Sequence, residues 1–139
     1  MGRVQLALNV SDIDTAVDFY RRLFDTEPAK RRPGYANFAI ADPPLKLVLI
    51  EQPEQAATLN HLGVEVASRD EVAQAGRRLR AQGLDTTEET GVTCCYAVQD
   101  KEWVADPDGA GWEIYTVLAD APQLEPAGAG CCGSDVTDA

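Results

Sequence analysis

The chain has 139 residues, of which 45% are hydrophobic, and its formal net charge is −11. This length predicts one domain or two fused small units, and the hydrophobic content is normal for a globular protein. The acidic excess argues against a nucleic-acid partner, because binding to phosphates requires a basic face.

The first half of the chain predicts a strand, a helix and two further strands. The predicted bounds are a strand at 4–10, a helix at 13–24, and strands at 35–40 and 46–51. Ser11 and Asp12 are suited to cap the helix, because their side-chain oxygens accept hydrogen bonds from free backbone N–H groups. Between the helix and the second strand lies the only run of three consecutive basic residues, Lys30-Arg31-Arg32. We interpret it as a solvated strand edge or loop.

The second half repeats this order. A strand is predicted at 59–66, a helix between Ser68 and Gly83, and strands at 84–88, 95–99 and 112–117. Ser68 and Glu71 have the spacing of a capping box, and Gly83 is a typical helix stop. The sequence Asp106-Pro107-Asp108-Gly109 predicts a turn before the last strand.

The two halves match each other at an offset of 56 residues, which carries Gln5 onto His61. At this offset residues 5–10 lie over 61–66, and residues 21–23 lie over 77–79 without a gap. The sequence therefore predicts two similar modules, at about 3–53 and 58–120, within one α+β domain that spans residues 1–120.

Residues 121–139 differ in composition from the rest, being rich in Ala, Gly and Pro and lacking Lys and Arg. We expect a flexible tail there. No signal peptide is evident and no apolar stretch approaches the ~20 residues of a membrane span, so we expect a cytoplasmic protein without a membrane partner.

The four cysteines form two adjacent pairs, Cys94-Cys95 and Cys131-Cys132. In the cytoplasm thiols stay reduced, so cysteines are first interpreted as ligands or redox groups. Adjacent residues of a regular strand face opposite ways, so Cys94 and Cys95 can share a ligand only if residues 91–95 form a loop or bulge. Two thiols that converge in this way suit one soft, thiophilic ion.

Strand alternation predicts a metal site. In three of the predicted strands the apolar side chains face the helices, so Gln5, His61 and Glu113 point to the opposite face. If the modules pack about a pseudo-twofold axis, these three meet on one concave surface. An amide, an imidazole and a carboxylate then form a three-ligand set with open positions, similar to the facial triad of non-haem Fe(II). Glu51, at a strand end, is the competing carboxylate.

Three segments carry a family resemblance: residues 60–66, residues 93–101 with Trp103, and residues 112–115. They resemble the vicinal oxygen chelate superfamily, which contains glyoxalases, bleomycin-resistance proteins and extradiol dioxygenases. Within it they are similar to the carbon–arsenic lyases and to the cadmium-induced proteins. The block Cys94-Cys95-Tyr96 is the specific part, whereas the βαβββ order marks only the superfamily.

The resemblance implies a fold of two βαβββ modules that form a cup around one metal. It implies Fe(II) held by Gln5, His61 and Glu113, with Mn(II) or another divalent ion as the alternative. It also implies that Cys94 and Cys95 bind a trivalent organoarsenical such as methylarsenite, whose C–As bond is cleaved with O₂ to give arsenite in arsenic detoxification.

Two other functions remain open. The first is a cadmium-induced soft-metal binder without catalysis, in which all four cysteines act as ligands. The second is a glyoxalase-like isomerase, which is disfavoured because residues 46–48 offer no acid to match Glu113. The sequence assigns no roles to Tyr96 or Lys101. It leaves open whether Cys131-Cys132 captures arsenicals or Cd(II) on the tail or is incidental, and whether the chain forms a monomer, a homodimer or a module swap between chains.

Overall fold

A computed structural model describes residues 2–122 of the chain. The predicted tail lies outside the described residues except for 121 and 122, and so does the pair Cys131-Cys132. Within residues 2–122, no helix has both the length and the apolar character needed to cross a bilayer.

The structure is α+β, as predicted. Its strands are β1 Arg3–Val10, β2 Lys30–Arg32, β3 Tyr35–Ile40, β4 Leu45–Glu51, β5 Thr58–Glu65, β6 Thr87–Cys94, β7 Ala97–Ala105 and β8 Gly111–Asp120. The helices are α1 Ile13–Phe24 and α2 Arg69–Ala81, and a single 3₁₀ turn covers Pro53–Gln55. Within residues 2–122, the eight strands join one mixed sheet in the order β2-β3-β4-β1-β5-β8-β7-β6.

The strand order is symmetric about its centre. β1 pairs in parallel with β4, and β5 pairs in parallel with β8. The two halves meet where β1 and β5 pair antiparallel within the same chain. The first strand of each module therefore lies beside the first strand of the other.

Both helices begin where the sequence predicts a cap. Asp12 accepts a hydrogen bond from the Thr15 N–H at 2.9 Å, and Ser68 accepts one from the Glu71 N–H at 3.2 Å. The apolar side of α1 packs on the outer face of the sheet, in a cluster with Phe38, Leu47 and Leu49 among others. Covering this face with helices leaves the opposite, concave face for polar side chains.

Two predicted strands have the wrong bounds. The strand predicted at 84–88 is β6, at Thr87–Cys94, and the strand predicted at 95–99 is β7, at Ala97–Ala105. The expected bulge is present at Gly91, where φ is 63° and the pairing of β6 with β7 shifts register. The chain then reverses in a two-residue turn at Cys95 and Tyr96, where the sequence predicted the start of a strand.

Candidate metal centre

Three adjacent central strands bring the predicted metal ligands together. Gln5 lies on β1, His61 on β5 and Glu113 on β8, and each is 3% exposed or less. Gly63 of β5 is paired with Gln5 on one side and with Glu113 on the other. The sheet register, rather than a loop, thus fixes the relative positions of the three side chains.

The donor atoms converge. Gln5 Nε2 lies 2.7 Å from Glu113 Oε2 and 3.3 Å from His61 Nε2, and His61 Nε2 lies 2.9 Å from Glu113 Oε2. Ligands at right angles around a first-row metal, each about 2.1 Å from it, are separated by roughly 3 Å. The three side chains therefore fit a facial triad once the amide is turned so that its oxygen replaces Nε2. Elsewhere, residues 2–122 contain no cluster of three His, Cys, Asp or Glu side chains.

Gly63 provides the space in which the three side chains meet. A Cβ built on Gly63 would lie 3.0 Å from Gln5 Nε2 and 3.0 Å from the backbone oxygen of Glu113. Such contacts are tighter than side chains tolerate without displacing their neighbours. A side chain at this position would push the amide and the carboxylate away from each other.

Lys101 is a site residue to which the sequence assigned no role. It is 0% exposed, and its Nζ lies 2.7 Å from Glu113 Oε1. Burial disfavours the ionised form of Glu113, but the charge of Lys101 and the close contact of His61 outweigh it and hold the pKa of Glu113 well below its ordinary value. The carboxylate is thus ionised at neutral pH, with Oε1 held by Lys101 and Oε2 directed to the side chains of Gln5 and His61.

Tyr115 orients the amide of Gln5. Its hydroxyl donates a hydrogen bond of 2.5 Å to Gln5 Oε1. Burial and the nearby charge of Glu113 raise the pKa of Tyr115 well above its ordinary value, so the hydroxyl keeps its proton. In the turned amide, the same hydroxyl oxygen would accept a hydrogen bond from Nε2.

Asn60 orients the imidazole of His61. Asn60 Oδ1 lies 2.7 Å from His61 Nδ1, while Asn60 Nδ2 donates to Asn9 Oδ1 at 3.0 Å. Because the amide nitrogen is used as a donor, Asn60 Oδ1 accepts the Nδ1 proton of His61. That tautomer leaves the Nε2 lone pair directed at Gln5 and Glu113, as a metal ligand requires.

Removing this orienting contact should weaken metal binding. We expect Asn60→Ala to lower the affinity for a divalent ion by about 10- to 100-fold, the usual effect of losing such a partner. Asn60→Asp keeps the acceptor and should retain most of the affinity. Calorimetric titration with Mn(II) measures both, and equal affinities for Asn60→Ala and wild type would refute the assignment.

The Cys94-Cys95 pair lies at the end of the β6–β7 hairpin. The two sulfurs are 3.6 Å apart, beyond the roughly 2 Å of a disulfide bond to each other. Cys95 lines a cavity of about 220 Å³, which is also lined by Gln5 and Glu113. Cys94 is 0% exposed and packs with Tyr35 and Tyr96.

The remaining candidate acids lie elsewhere. Glu51 is exposed and accepts a hydrogen bond from the Ile13 N–H at the start of α1, so it serves as a helix cap. In the parallel pair of β5 and β8, Glu113 is the partner of Gly63. The 56-residue offset equates Gly63 with Ala7, whose partner in the parallel pair of β1 and β4 is Val48. The first module therefore presents a buried valine where the second presents a carboxylate.

Comparison with known families agrees with this fold. A model of the Glyoxalase/Bleomycin resistance protein/Dioxygenase superfamily matches residues 2–114. The chain belongs to this superfamily. The Mn(II)-bound glyoxalase of Novosphingobium aromaticivorans has the same fold, with a TM-score of 0.59 at 19% identity over 92% of this chain and 44% of that one.

Two relatives within the superfamily are much more similar in sequence. The cadmium-induced protein CadI of Mycobacterium tuberculosis is 59% identical over 138 residues, which cover 99% of this chain and 89% of the relative. The trivalent organoarsenical cleaving enzyme of Thermomonospora curvata is 57% identical over 133 residues, which cover 95% of this chain and 88% of the relative. Both groups suggested by the sequence motifs are thus confirmed as relatives of this superfamily member.

Proposed function

We propose that this protein cleaves the carbon–arsenic bond of trivalent organoarsenicals, using Fe(II) and O₂, and that it acts in arsenic detoxification. One observation carries the proposal: Cys95, Gln5 and Glu113 line the same cavity. A thiol site for arsenic and a three-ligand site for a metal then face the same volume. The 57% identity to an organoarsenical cleaving enzyme supports the same activity.

The cysteines would bind the substrate. Trivalent arsenic is soft, so thiolates are its preferred ligands, and each As–S bond forms as one arsenic-bound hydroxyl leaves as water. Cys94 and Cys95 are disulfide-bonded in this structure, so the arsenic-binding form requires their reduction. We therefore place the protein in the cytoplasm, where thiols are kept reduced.

Gln5, His61 and Glu113 would hold the metal beside the cavity in which the arsenical binds. Bound Fe(II), or alternatively Mn(II), supplies open coordination positions and redox chemistry. The chain contributes the arrangement: the cysteines fix arsenic, and the Glu113 carboxylate is paired with the Lys101 ammonium at 2.7 Å. Holding two reactants in one site is worth up to ~7–11 kcal/mol of barrier. The reaction of methylarsenite with one O₂ to give arsenous acid and formaldehyde is balanced in atoms and electrons.

Product analysis tests the proposal. Reduced protein loaded with Fe(II) and supplied with air and methylarsenite should release arsenite, and the same mixture without oxygen should not. Chromatography coupled to arsenic detection separates the two arsenicals. Absence of arsenite from fully metallated, reduced protein would falsify the lyase function.

A second function, soft-metal binding without catalysis, is favoured by the 59% identity to the cadmium-induced protein CadI. In that case Glu113→Ala should leave Cd(II) binding mostly intact, whereas Cys94→Ser should weaken it. For the lyase, both substitutions should abolish turnover. Comparing Cd(II) affinity with arsenite release in the two variants distinguishes the functions.

A further inference from the structure

The turn that carries the thiol pair has an unfavourable backbone. Cys95 and Tyr96 have φ values of 54° and 61°, and the flanking residues Cys94 and Ala97 are paired across the hairpin. Positive φ at both central residues is the pattern of a type I′ turn, in which Asn and Gly are usual. A residue with a Cβ loses about 1–2 kcal/mol in this region, so surrounding contacts must hold the turn.

Two side chains from outside the turn hold its carbonyl groups. Lys30 Nζ donates to the Tyr96 carbonyl at 2.9 Å and also contacts Asp120 Oδ1 at 2.7 Å. Gln99 Nε2 donates to the Cys94 carbonyl at 2.6 Å. Lys30 belongs to β2, so the first module fixes a turn of the second module across the cup. The Lys30 side chain is only 15% exposed, which strengthens a charged hydrogen bond.

Other residues of the β2–β3 hairpin surround Tyr96. The guanidinium of Arg32 lies 5.8 Å from the centre of its ring, and its hydroxyl donates to the Pro33 carbonyl at 3.2 Å. Arg31, by contrast, pairs with Asp14 of α1 and is exposed. The three basic residues interpreted as solvated therefore differ in their contacts. Arg31 forms an ion pair on the helix side, whereas Lys30 and Arg32 contact the turn residue Tyr96.

We propose that Lys30 is a positioning residue for the thiol pair, with Gln99 as a second anchor. The inference rests on the proposed function, in which arsenic binds to Cys94 and Cys95. Two As–S bonds to one arsenic require both sulfurs to keep a fixed separation, and one bond does not. Methylarsenite has two exchangeable hydroxyls and can bind two thiols, whereas dimethylarsenite has one and can bind only one thiol.

The two arsenicals therefore provide the test. In reduced protein, Lys30→Met should weaken methylarsenite binding by about 10- to 100-fold, the effect of losing one charged hydrogen bond. Dimethylarsenite binding, measured by calorimetry in parallel, should be unchanged. Arg31→Met removes a neighbouring cation without touching the turn and should change neither affinity, while Lys30→Arg keeps a donor and should recover part of the loss.

Mn(II) affinity provides an independent readout, since Lys30 makes no contact with the three metal ligands in the described structure, and Lys30→Met should leave it unchanged. Unaltered methylarsenite binding in Lys30→Met would overturn the positioning role, and so would equal weakening for both arsenicals, which would indicate a general charge effect. If instead wild type binds methylarsenite no better than a Cys94→Ser/Cys95→Ser variant, the proposed arsenic site fails, and the role of Lys30 with it.

Discussion

Glu113→Gln should lower the affinity for Fe(II) or Mn(II) by more than about 100-fold and abolish arsenite release. Glu113 is the only anionic member of the three converging side chains, and losing even an outer partner of a ligand costs 10- to 100-fold. The amide of glutamine has a similar shape but no charge to offset that of a divalent cation. Metal titration and product analysis on the same preparation measure both effects.

The same substitution should also destabilise the fold. It leaves the ammonium of Lys101 buried without its carboxylate, and breaking a buried ion pair in this way costs about 3–5 kcal/mol. Loss of activity could then result from unfolding alone. Glu113→Gln/Lys101→Met removes both charges, and we expect it to regain most of the free energy of unfolding but none of the metal binding.

A substitution at a second carboxylate, Glu51, serves as the control for this experiment. Glu51 was the alternative carboxylate in the sequence, and in the structure it caps α1 at an exposed position. Glu51→Gln should reduce the free energy of unfolding by about 1 kcal/mol without changing metal affinity. Recovery of tight metal binding in the Glu113→Gln/Lys101→Met variant would show that the carboxylate is not a ligand. Denaturant unfolding curves supply the stability values.

The face of the sheet on which these three side chains lie could be predicted, because it depends only on the alternation of side chains along a strand. Side chains alternate along a strand wherever the strand ends, so Gln5, His61 and Glu113 could be placed on one face despite uncertain bounds. The internal repeat supplied the remaining step, since it places the first strands of the two modules in equivalent positions. In the sheet these two strands, β1 and β5, are equivalent neighbours at the centre of the strand order.

The surroundings of the ligands depend on features that the sequence does not display. Lys101 was left without a role because the strand predicted at 95–99 ended before it, whereas β7 continues to Ala105 and carries it beneath Glu113. The cause is the turn at Cys95 and Tyr96, where neither Gly nor Asn signals a positive φ. Tertiary contacts such as that of Lys30 compensate for this backbone, and they join segments far apart in the chain.

Cys95→Ser should reduce arsenite release by at least about 100-fold while leaving metal affinity unchanged. A serine hydroxyl is a hard, protonated group at neutral pH and does not replace a thiolate on soft arsenic. Cys95 lines the cavity next to the metal ligands but is not one of the three converging donors. This variant should therefore lose affinity for methylarsenite and keep its affinity for Mn(II).

Cys95→Gly distinguishes chemistry from backbone effects. Cys95 has a φ of 54°, which glycine adopts without cost, so in reduced protein this variant should be at least as stable as wild type and yet equally inactive. Substituting the other pair, in Cys131→Ser/Cys132→Ser, should leave arsenite release intact in reduced protein. Turnover that survives in Cys95→Gly but is lost in the Cys131→Ser/Cys132→Ser variant would move the arsenic site to the second pair. Turnover lost only with Cys95 would instead tie the chemistry to the one cysteine that shares a cavity with Gln5 and Glu113.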